Sequence, residues 1–128
     1  MIITDSRKII TSMAEKLVQG KQDLVSIDMQ DIEKVLQYQN VKSLYIDGTM
    51  ERVIATLDSL SAEFADAKIA VVQISTPTEQ DLKIQDVNAL LDVMRKDKSR
   101  HFDIIWGTSV KSEIPQGKAT IFIVYAAD

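Results

Sequence analysis

Apolar residues recur every three or four positions in four segments of the chain, the spacing that places side chains on one face of a helix. The first segment runs from about residue 4 to residue 18, and Gly20 follows it as a predicted helix stop. The other three cover about residues 29–36, 50–64 and 84–94. The pattern therefore predicts four helices.

Four further segments are β-branched or apolar on consecutive residues, which is typical of strands. They cover residues 41–46, 68–75, 102–109 and 118–127. The first is short, so we expect it at an edge of the sheet. The second and fourth are apolar on both sides, which predicts central strands with helices on both faces of the sheet.

The predicted elements follow the order α-α-β-α-β-α-β-β. This order predicts an α/β (α+β) fold of the two-layer sandwich type with a four-stranded mixed sheet. Its βαβαββ core, residues 41–128, is preceded by two helices, and two helices are available for each face of the sheet. The 128 residues are close to the usual size of one domain, and no repeat or linker interrupts them. We therefore expect a single domain over residues 1–128.

Composition excludes several classes of function. The chain has 15 Lys and Arg against 19 Asp and Glu, a net charge of −4, so its charge gives no reason to expect binding to nucleic acid or to an anionic membrane. It has no cysteine and one histidine, which excludes disulfides, thiol catalysis and cysteine metal sites. No run of eighteen apolar residues or signal-peptide pattern is present. We expect a cytoplasmic protein.

Two aspartates, Asp28 and Asp31, stand three residues apart at the predicted start of the second helix. Short polar side chains at a helix start accept hydrogen bonds from unpaired backbone N–H groups, and Asp28 or Ser26 could cap this helix. The same carboxylates could instead be presented to another molecule. No further cluster of ligands accompanies them, so no metal site is predicted.

Three stretches resemble, in this order, the motifs of one protein family. SIDMQD resembles an acidic loop of the form Asn-x-Asp-x-x-Asp, and KIAVVQIS followed by DLKIQDV resembles a strand, loop and helix. IIWGTSVKSEIPQGKATIFIVYAA resembles a closing pair of strands. The chain is thus similar to the C-terminal domain of the cell-division GTPase FtsZ, a relative of tubulin. Residues 1–20 resemble the end of that family's long central helix, residues 21–31 its acidic loop, and residues 41–128 its α/β core.

This resemblance implies that the acidic loop contacts another subunit. In FtsZ-like and tubulin-like filaments, the loop of one subunit enters the nucleotide site of the next, and its carboxylates help to position the attacking water. Asp28 and Asp31 would be those catalytic carboxylates, acting only in trans. The implied subunit contact consists of four residues, Ser26, Asp28, Gln30 and Asp31. Ser26 departs from the family's asparagine, which leaves one polar contact of the loop open.

The GTP-binding half of that family has no counterpart in this chain. Its glycine-rich phosphate loops are missing, because the four glycines of the sequence are scattered. We therefore expect no cofactor on this chain, GTP only on a partner domain, and no enzymatic activity from the chain alone. The chain is either a fragment of a longer protein or a stand-alone domain that kept the subunit-contact half.

Three functions follow as alternatives. The first is a protein-interaction domain that contacts an FtsZ- or tubulin-like GTPase subunit and modulates filament assembly. The second is half of a GTPase that acts in trans through Asp28 and Asp31. The third is a regulatory domain for a small ligand, with loops 75–83 and 109–117 as the candidate pocket. The apolar stripe of residues 9–18 also predicts a homo-oligomer if its outer side is uncovered.

Overall fold

The computed structural model describes residues 1–18, 23–25, 27–96 and 102–127. The strands in these ranges are β1 (Ile2–Thr4), β2 (Asp23–Val25), β3 (Asn40–Gly48), β4 (Ile69–Thr76), β5 (Asp103–Val110) and β6 (Ala119–Ala127). The helices are α1 (Arg7–Val18), α2 (Met29–Leu36), α3 (Met50–Ser59) and α4 (Ile84–Arg95). Short 3-10 helices lie at Ser61–Phe64 and Glu79–Asp81.

These strands form one mixed sheet in the order β1-β3-β6-β4-β5-β2. β4 and β5 are parallel, and the remaining neighbours are antiparallel. A parallel pair needs a crossover connection, which α4 supplies between β4 and β5. Every residue of β4 is buried, because the strand lies inside the sheet and is covered on both faces.

Helices cover both faces of the sheet, and the two cores are separated by the alternation of side chains along each strand. In β6, Ile121 and Ile123 belong to the core beneath α3 and α4. Phe122 and Val124, which point the other way, belong to the core beneath α1 and α2. We refer to these as the α3/α4 core and the α1/α2 core.

The α3/α4 core is held by amphipathic helices, of which α3 begins at Met50 as predicted but ends at Ser59, and a separate 3-10 helix, Ser61–Phe64, completes the segment predicted as one helix. Thr49 caps α3, and its hydroxyl accepts a hydrogen bond from the Arg52 backbone N–H at 3.2 Å. Val53 and Leu57 lie one turn apart on the helix and are fully buried. Phe64 of the following 3-10 helix is also fully buried and closes one end of this core.

The fold class predicted from the sequence is confirmed: a mixed sheet carries a βαβαββ core whose helices lie on one face, preceded by two helices. Those two helices add a layer on the opposite face. The sheet differs from the prediction because two strands of three residues, β1 and β2, extend the expected four to six in the described ranges. β3 was expected at the edge, but β1 pairs with its outer side. The predicted helix stop, Gly20, lies outside the described residues.

Candidate subunit-contact site

The acidic loop leads directly into α2, and Asp28 is the residue that caps this helix. Its backbone is extended (φ −124°, ψ 178°), and its Oδ1 accepts a hydrogen bond from the Asp31 backbone N–H at 3.2 Å. In return, Asp31 Oδ2 accepts from the Asp28 backbone N–H at 3.0 Å. The pair is therefore a capping box, which satisfies N–H groups that the first helical turn leaves unpaired.

The capping interpretation of the two aspartates is confirmed, yet it occupies only half of their acceptor oxygens. Among the described residues, one oxygen of each carboxylate is hydrogen-bonded and the other is not. Asp28 and Gln30 are exposed, and Asp31 is half-buried. Three of the four predicted contact residues thus lie together at the surface, while Ser26 falls outside the described residues.

Apolar side chains on both sides of the capping box fix it to the sheet. Ile27, immediately before it, is 4% exposed, and Ile32, immediately after it, is fully buried. Val35 continues the same face of α2 one turn later. All three belong to the α1/α2 core, where they meet residues of β4 and β6. The two carboxylates are therefore presented from a rigid support rather than from a free loop.

The other end of α2 is held by a residue of α1. The Arg7 guanidinium donates hydrogen bonds to the backbone carbonyl oxygens of Leu36, Tyr38 and Gln39. A helix leaves its last carbonyl groups unpaired and carries partial negative charge at this end, so a cation with several donors stabilises it. Arg7 and the capping box together fix α2 at both ends.

A buried polar cluster on the same face of the sheet was missed by the sequence analysis. Gln73 Nε2 donates to Ser109 Oγ at 2.8 Å, and Ser109 Oγ lies 2.8 Å from Ser75 Oγ. In the described structure, Gln73 Oε1 is buried and has no hydrogen-bond partner. Ser109 is aligned with Asp23 of β2, a strand that lies within residues 21–31, which were predicted to form the acidic loop. The available signal was a glutamine inside the otherwise apolar stretch KIAVVQIS.

A cavity of about 440 Å³ lies beside one of the two loops that the sequence analysis named as pocket candidates. Glu113, Ile114 and Pro115 of loop 109–117 line it, together with Tyr45 and Asp47 of β3. Burial and, to a lesser degree, the Asp47 charge raise the pKa of Tyr45. Loop 75–83 contributes no residue to this cavity.

A larger cavity, of about 510 Å³, lies at the opposite end of the sheet. Its lining includes Tyr125, whose hydroxyl donates to Glu63 Oε2 at 3.1 Å. Lys42 Nζ lies 3.7 Å from the same carboxylate oxygen. Burial first, and then the Glu63 charge and hydrogen bond, raise the pKa of Tyr125 well above its ordinary value. Loop 75–83 does not reach this cavity either.

Two kinds of site are absent from the described residues. No group of three histidine, aspartate or glutamate side chains lies close enough there to hold a metal ion. No helix among these residues is long and apolar enough to cross a membrane.

Comparison with known proteins gives matches in structure but not in sequence. No protein-family profile matches the chain, and no curated protein matches it at a significant level. An FtsZ dimer from M. jannaschii matches with a TM-score of 0.67 and 12% identity, over 91% of this chain and 36% of that one. GDP-bound CetZ1 from Haloferax volcanii matches with a TM-score of 0.56 and 13% identity, over 80% of this chain and 34% of the other.

A third match is the GTPγS-bound CetZ2 protofilament from Haloferax volcanii, with a TM-score of 0.53 and 11% identity, over 80% of this chain and 34% of the other. The chain therefore spans little more than a third of the proteins it matches. At these identities, the likeness concerns the fold. The chain has the fold of an FtsZ-type C-terminal domain.

Proposed function

We propose that this chain is a protein-interaction domain that docks on an FtsZ- or tubulin-like GTPase subunit through residues 26–31. The proposal is carried by the fold, which matches FtsZ and CetZ structures over 80% to 91% of this chain but only 34% to 36% of theirs. Two of the matching structures are a dimer and a protofilament, so proteins that contain this fold associate with one another.

The capping box supports the choice of the acidic loop as the docking surface. Asp28 and Asp31 hold each other in one geometry, so little conformational entropy is lost when the loop meets a partner. Each carboxylate keeps one oxygen for charge-assisted hydrogen bonds to cationic side chains or backbone N–H groups of that partner. A domain that docks in this way without a nucleotide-binding half of its own would occupy a filament end and stop its growth.

The test mixes the chain with a full-length FtsZ-type GTPase and follows GTP turnover together with the amount of polymer that sediments. Docking at a filament end predicts less polymer in proportion to the amount of chain added. The informative variant is Asp28→Asn/Asp31→Asn, because asparagine caps helices about as well as aspartate does while both charges are lost.

A matched control changes the net charge by the same amount at another place on the surface. Asp86→Asn/Asp92→Asn removes two carboxylates from α4, on the opposite face of the sheet. We expect the control to inhibit assembly like the wild-type chain and the Asp28/Asp31 variant to be inactive. Equal inhibition by both variants would mean that the acidic loop is not the docking surface.

A second candidate is activation of GTP hydrolysis in trans, which the unbonded carboxylate oxygens of Asp28 and Asp31 favour. One of these oxygens could orient the attacking water in the partner's nucleotide site. This function predicts a higher rate of GTP turnover for a given amount of sedimented polymer. Capping of a filament end predicts a lower rate of GTP turnover and less polymer. An unchanged turnover in the presence of a saturating amount of chain would exclude it.

A small-ligand function has the cavity of about 510 Å³ in its favour. Its lining combines lysine and glutamate side chains with a buried phenol, so a ligand with both an anionic and a donor group would suit it. A thermal-shift screen of such compounds tests this function. Lys42→Ala should abolish any shift that arises at this cavity, and a shift that survives this change would place the ligand elsewhere.

A further inference from the structure

Exposed large apolar side chains are concentrated at one place on the described surface. Met1, Ile2 and Ile3 are 63%, 53% and 42% exposed, and Ile9 of α1 is 48% exposed. The remaining large apolar residue of this kind in the described structure is Ile84 of α4. Ile2 and Ile3 lie on β1 and Met1 directly precedes it, and three consecutive exposed apolar residues are unusual unless another surface covers them.

The apolar surface is centred on β1 and not on the helix that was predicted to carry it. Among the described side chains of α1, Lys8, Ser12 and Glu15 are exposed and polar, and Ile9 is the one large apolar residue that is exposed with them. β1 stands at the end of the sheet, and no described strand pairs with its outer side. Its backbone N–H and C=O groups on that side can be satisfied by a further strand.

β1 has few of the features that keep edge strands from pairing. Charged residues, proline and irregular register are absent from Ile2–Thr4, and its length of three residues is the one such feature that it has. The opposite edge strand, β2, differs on two counts, because it includes Asp23 and its register with β5 is irregular. Both edge strands are thus short, and β2 has two further features that oppose pairing, which β1 lacks.

The side chains of β1 indicate what kind of surface would cover them. Ile2 is aligned with Tyr45 on the α1/α2 side of the sheet, whereas Ile3 is aligned with Leu44 on the α3/α4 side. A partner must therefore be apolar on both faces of the sheet at once. An extended strand with consecutive apolar residues meets this requirement, because neighbouring side chains point to opposite faces of a sheet, and Ile2 and Ile3 of a second copy provide such a strand.

We propose that β1 is a homodimer interface, in which the β1 strands of two copies pair antiparallel and join the two sheets into one. A two-fold axis relates identical strands in this orientation, so the same residues are used on both sides. With Ile3 at the axis, Ile2 of one copy lies opposite Thr4 of the other, a cross-strand pair of β-branched residues, which sheets favour.

Dimerisation in this way leaves the acidic loops free. β2, which precedes the loop, lies at the opposite edge of the sheet from β1. The two loops would thus be presented at the two outer edges of the dimer. If the proposed docking function holds, the dimer binds two GTPase subunits; the dimer itself does not depend on that function and is measured without any GTPase.

The first test is sedimentation analysis of the full chain across a concentration series. We expect a dimer for the wild type and for the control Ile84→Lys, which adds the same charge at an exposed apolar residue of α4. Ile3→Lys should weaken the dimer by roughly tenfold or more, because two lysines would face each other at the axis. A monomeric wild type, or an Ile3→Lys dimer of unchanged affinity, overturns the proposal.

If circular dichroism shows that the Ile3→Lys variant is unfolded, cysteine cross-linking tests the β1 dimer instead. The chain has no cysteine, so Ile3→Cys introduces a single thiol. Residues opposite each other on antiparallel strands have Cα atoms about 4.5 to 5.5 Å apart, which a disulfide can bridge. Mild oxidation should convert Ile3→Cys, but not Ile84→Cys, to a covalent dimer. No cross-link at position 3, or equal cross-linking at both positions, overturns the proposal.

Discussion

The two faces of the sheet differ in how many apolar side chains they bury and in how their buried polar groups are paired. Among the described residues, the α3/α4 core contains 17 buried apolar residues and the α1/α2 core contains 11. Polar groups are buried near both, but in different ways. On the α3/α4 side, the Thr76 hydroxyl donates to the Thr78 carbonyl oxygen at 2.8 Å. On the α1/α2 side, the amide of Gln73 is buried with one oxygen unpartnered.

This difference indicates that the face with the larger core contributes more to stability, whereas the other face positions the acidic pair. Buried apolar surface is the main source of folding free energy, so the larger core carries more of the stability. An unpartnered buried carbonyl costs free energy, which makes the smaller core the less optimised of the two. The smaller core is also the one that positions the capping box. Among the described residues, the acidic pair is therefore supported by the smaller of the two cores.

The largest expected effect comes from truncating the larger core. Phe64 is fully buried, with its ring centroid 4.9 Å from that of Tyr125 and 6.5 Å from that of Phe102. Phe64→Ala should lower the free energy of unfolding by about 3–5 kcal/mol in urea titrations, because it leaves a cavity. Phe64→Leu, which fills more of the space, should cost clearly less. A loss below about 1 kcal/mol for the alanine variant would contradict the ranking of the two cores.

The polar cluster of the smaller core gives the next effect. Ser109→Ala should destabilise the fold by about 1–3 kcal/mol, because Gln73 Nε2 and Ser75 Oγ both lose their partner. Gln73→Met removes the unpartnered oxygen and should cost much less than that. The double variant should lose less unfolding free energy than the two single variants lose in sum. Additive effects in a denaturation cycle would show that the two side chains are not coupled.

Removing the helix cap has a smaller effect. Asp28→Ala should lower the free energy of unfolding by about 1 kcal/mol, while Asp28→Asn should change it by a few tenths at most. Chemical denaturation of the two variants measures the difference. If asparagine is as costly as alanine, the charge of Asp28 rather than its capping bond stabilises α2.

The smallest effect is confined to alkaline pH. Burial raises the pKa of both Tyr125, on the α3/α4 side, and Tyr45, on the α1/α2 side. In each case the folded protein holds the phenol proton more tightly than the unfolded chain does. This contribution to stability is fully present below a pH of about 10 and is lost as the pH rises toward the folded-state pKa.

Thermal unfolding at pH 9 to about 11 measures this loss in the tyrosine-to-phenylalanine variants. Tyr125→Phe should flatten the decline of Tm with pH more than Tyr45→Phe does, because Tyr125 is the more deeply buried phenol and its pKa is raised further. Equal slopes for the wild type and both variants would mean that neither phenol is responsible.

Sequence patterns predicted the long elements well because their signals are local. Helix α4 and strand β4 each extend over enough residues to display their period or their continuous apolar character. The acidic pair was found for the same reason, since Asp28 and Asp31 are three residues apart on one helical turn. The long segments and the single helical turn at Asp28 could thus be read from the residues, although the segment predicted as one helix over 50–64 is α3 followed by a 3-10 helix.

The features that escaped prediction depend on short segments or on distant contacts. β1 has three residues, too few to show a two-residue alternation, and its apolar residues also fit the start of the helical stripe that continues into α1. β3 was consequently predicted to be the edge. The hydrogen bond between Gln73 and Ser109 joins residues 36 positions apart, and it exists because β4 and β5 are neighbours in the sheet.

The capping box has a consequence for how this sequence can diverge. Because Asp28 and Asp31 support each other's backbone, selection for a stable α2 is enough to keep a capping residue at position 28 and a carboxyl or amide side chain at position 31. Their retention among descendants of this gene would then follow from folding alone. The telling natural variants are those with serine at position 28 and glutamine at position 31, which keep the cap and lose the charges. A lineage that accepts this exchange has kept the helix and lost the charges on which the proposed docking depends.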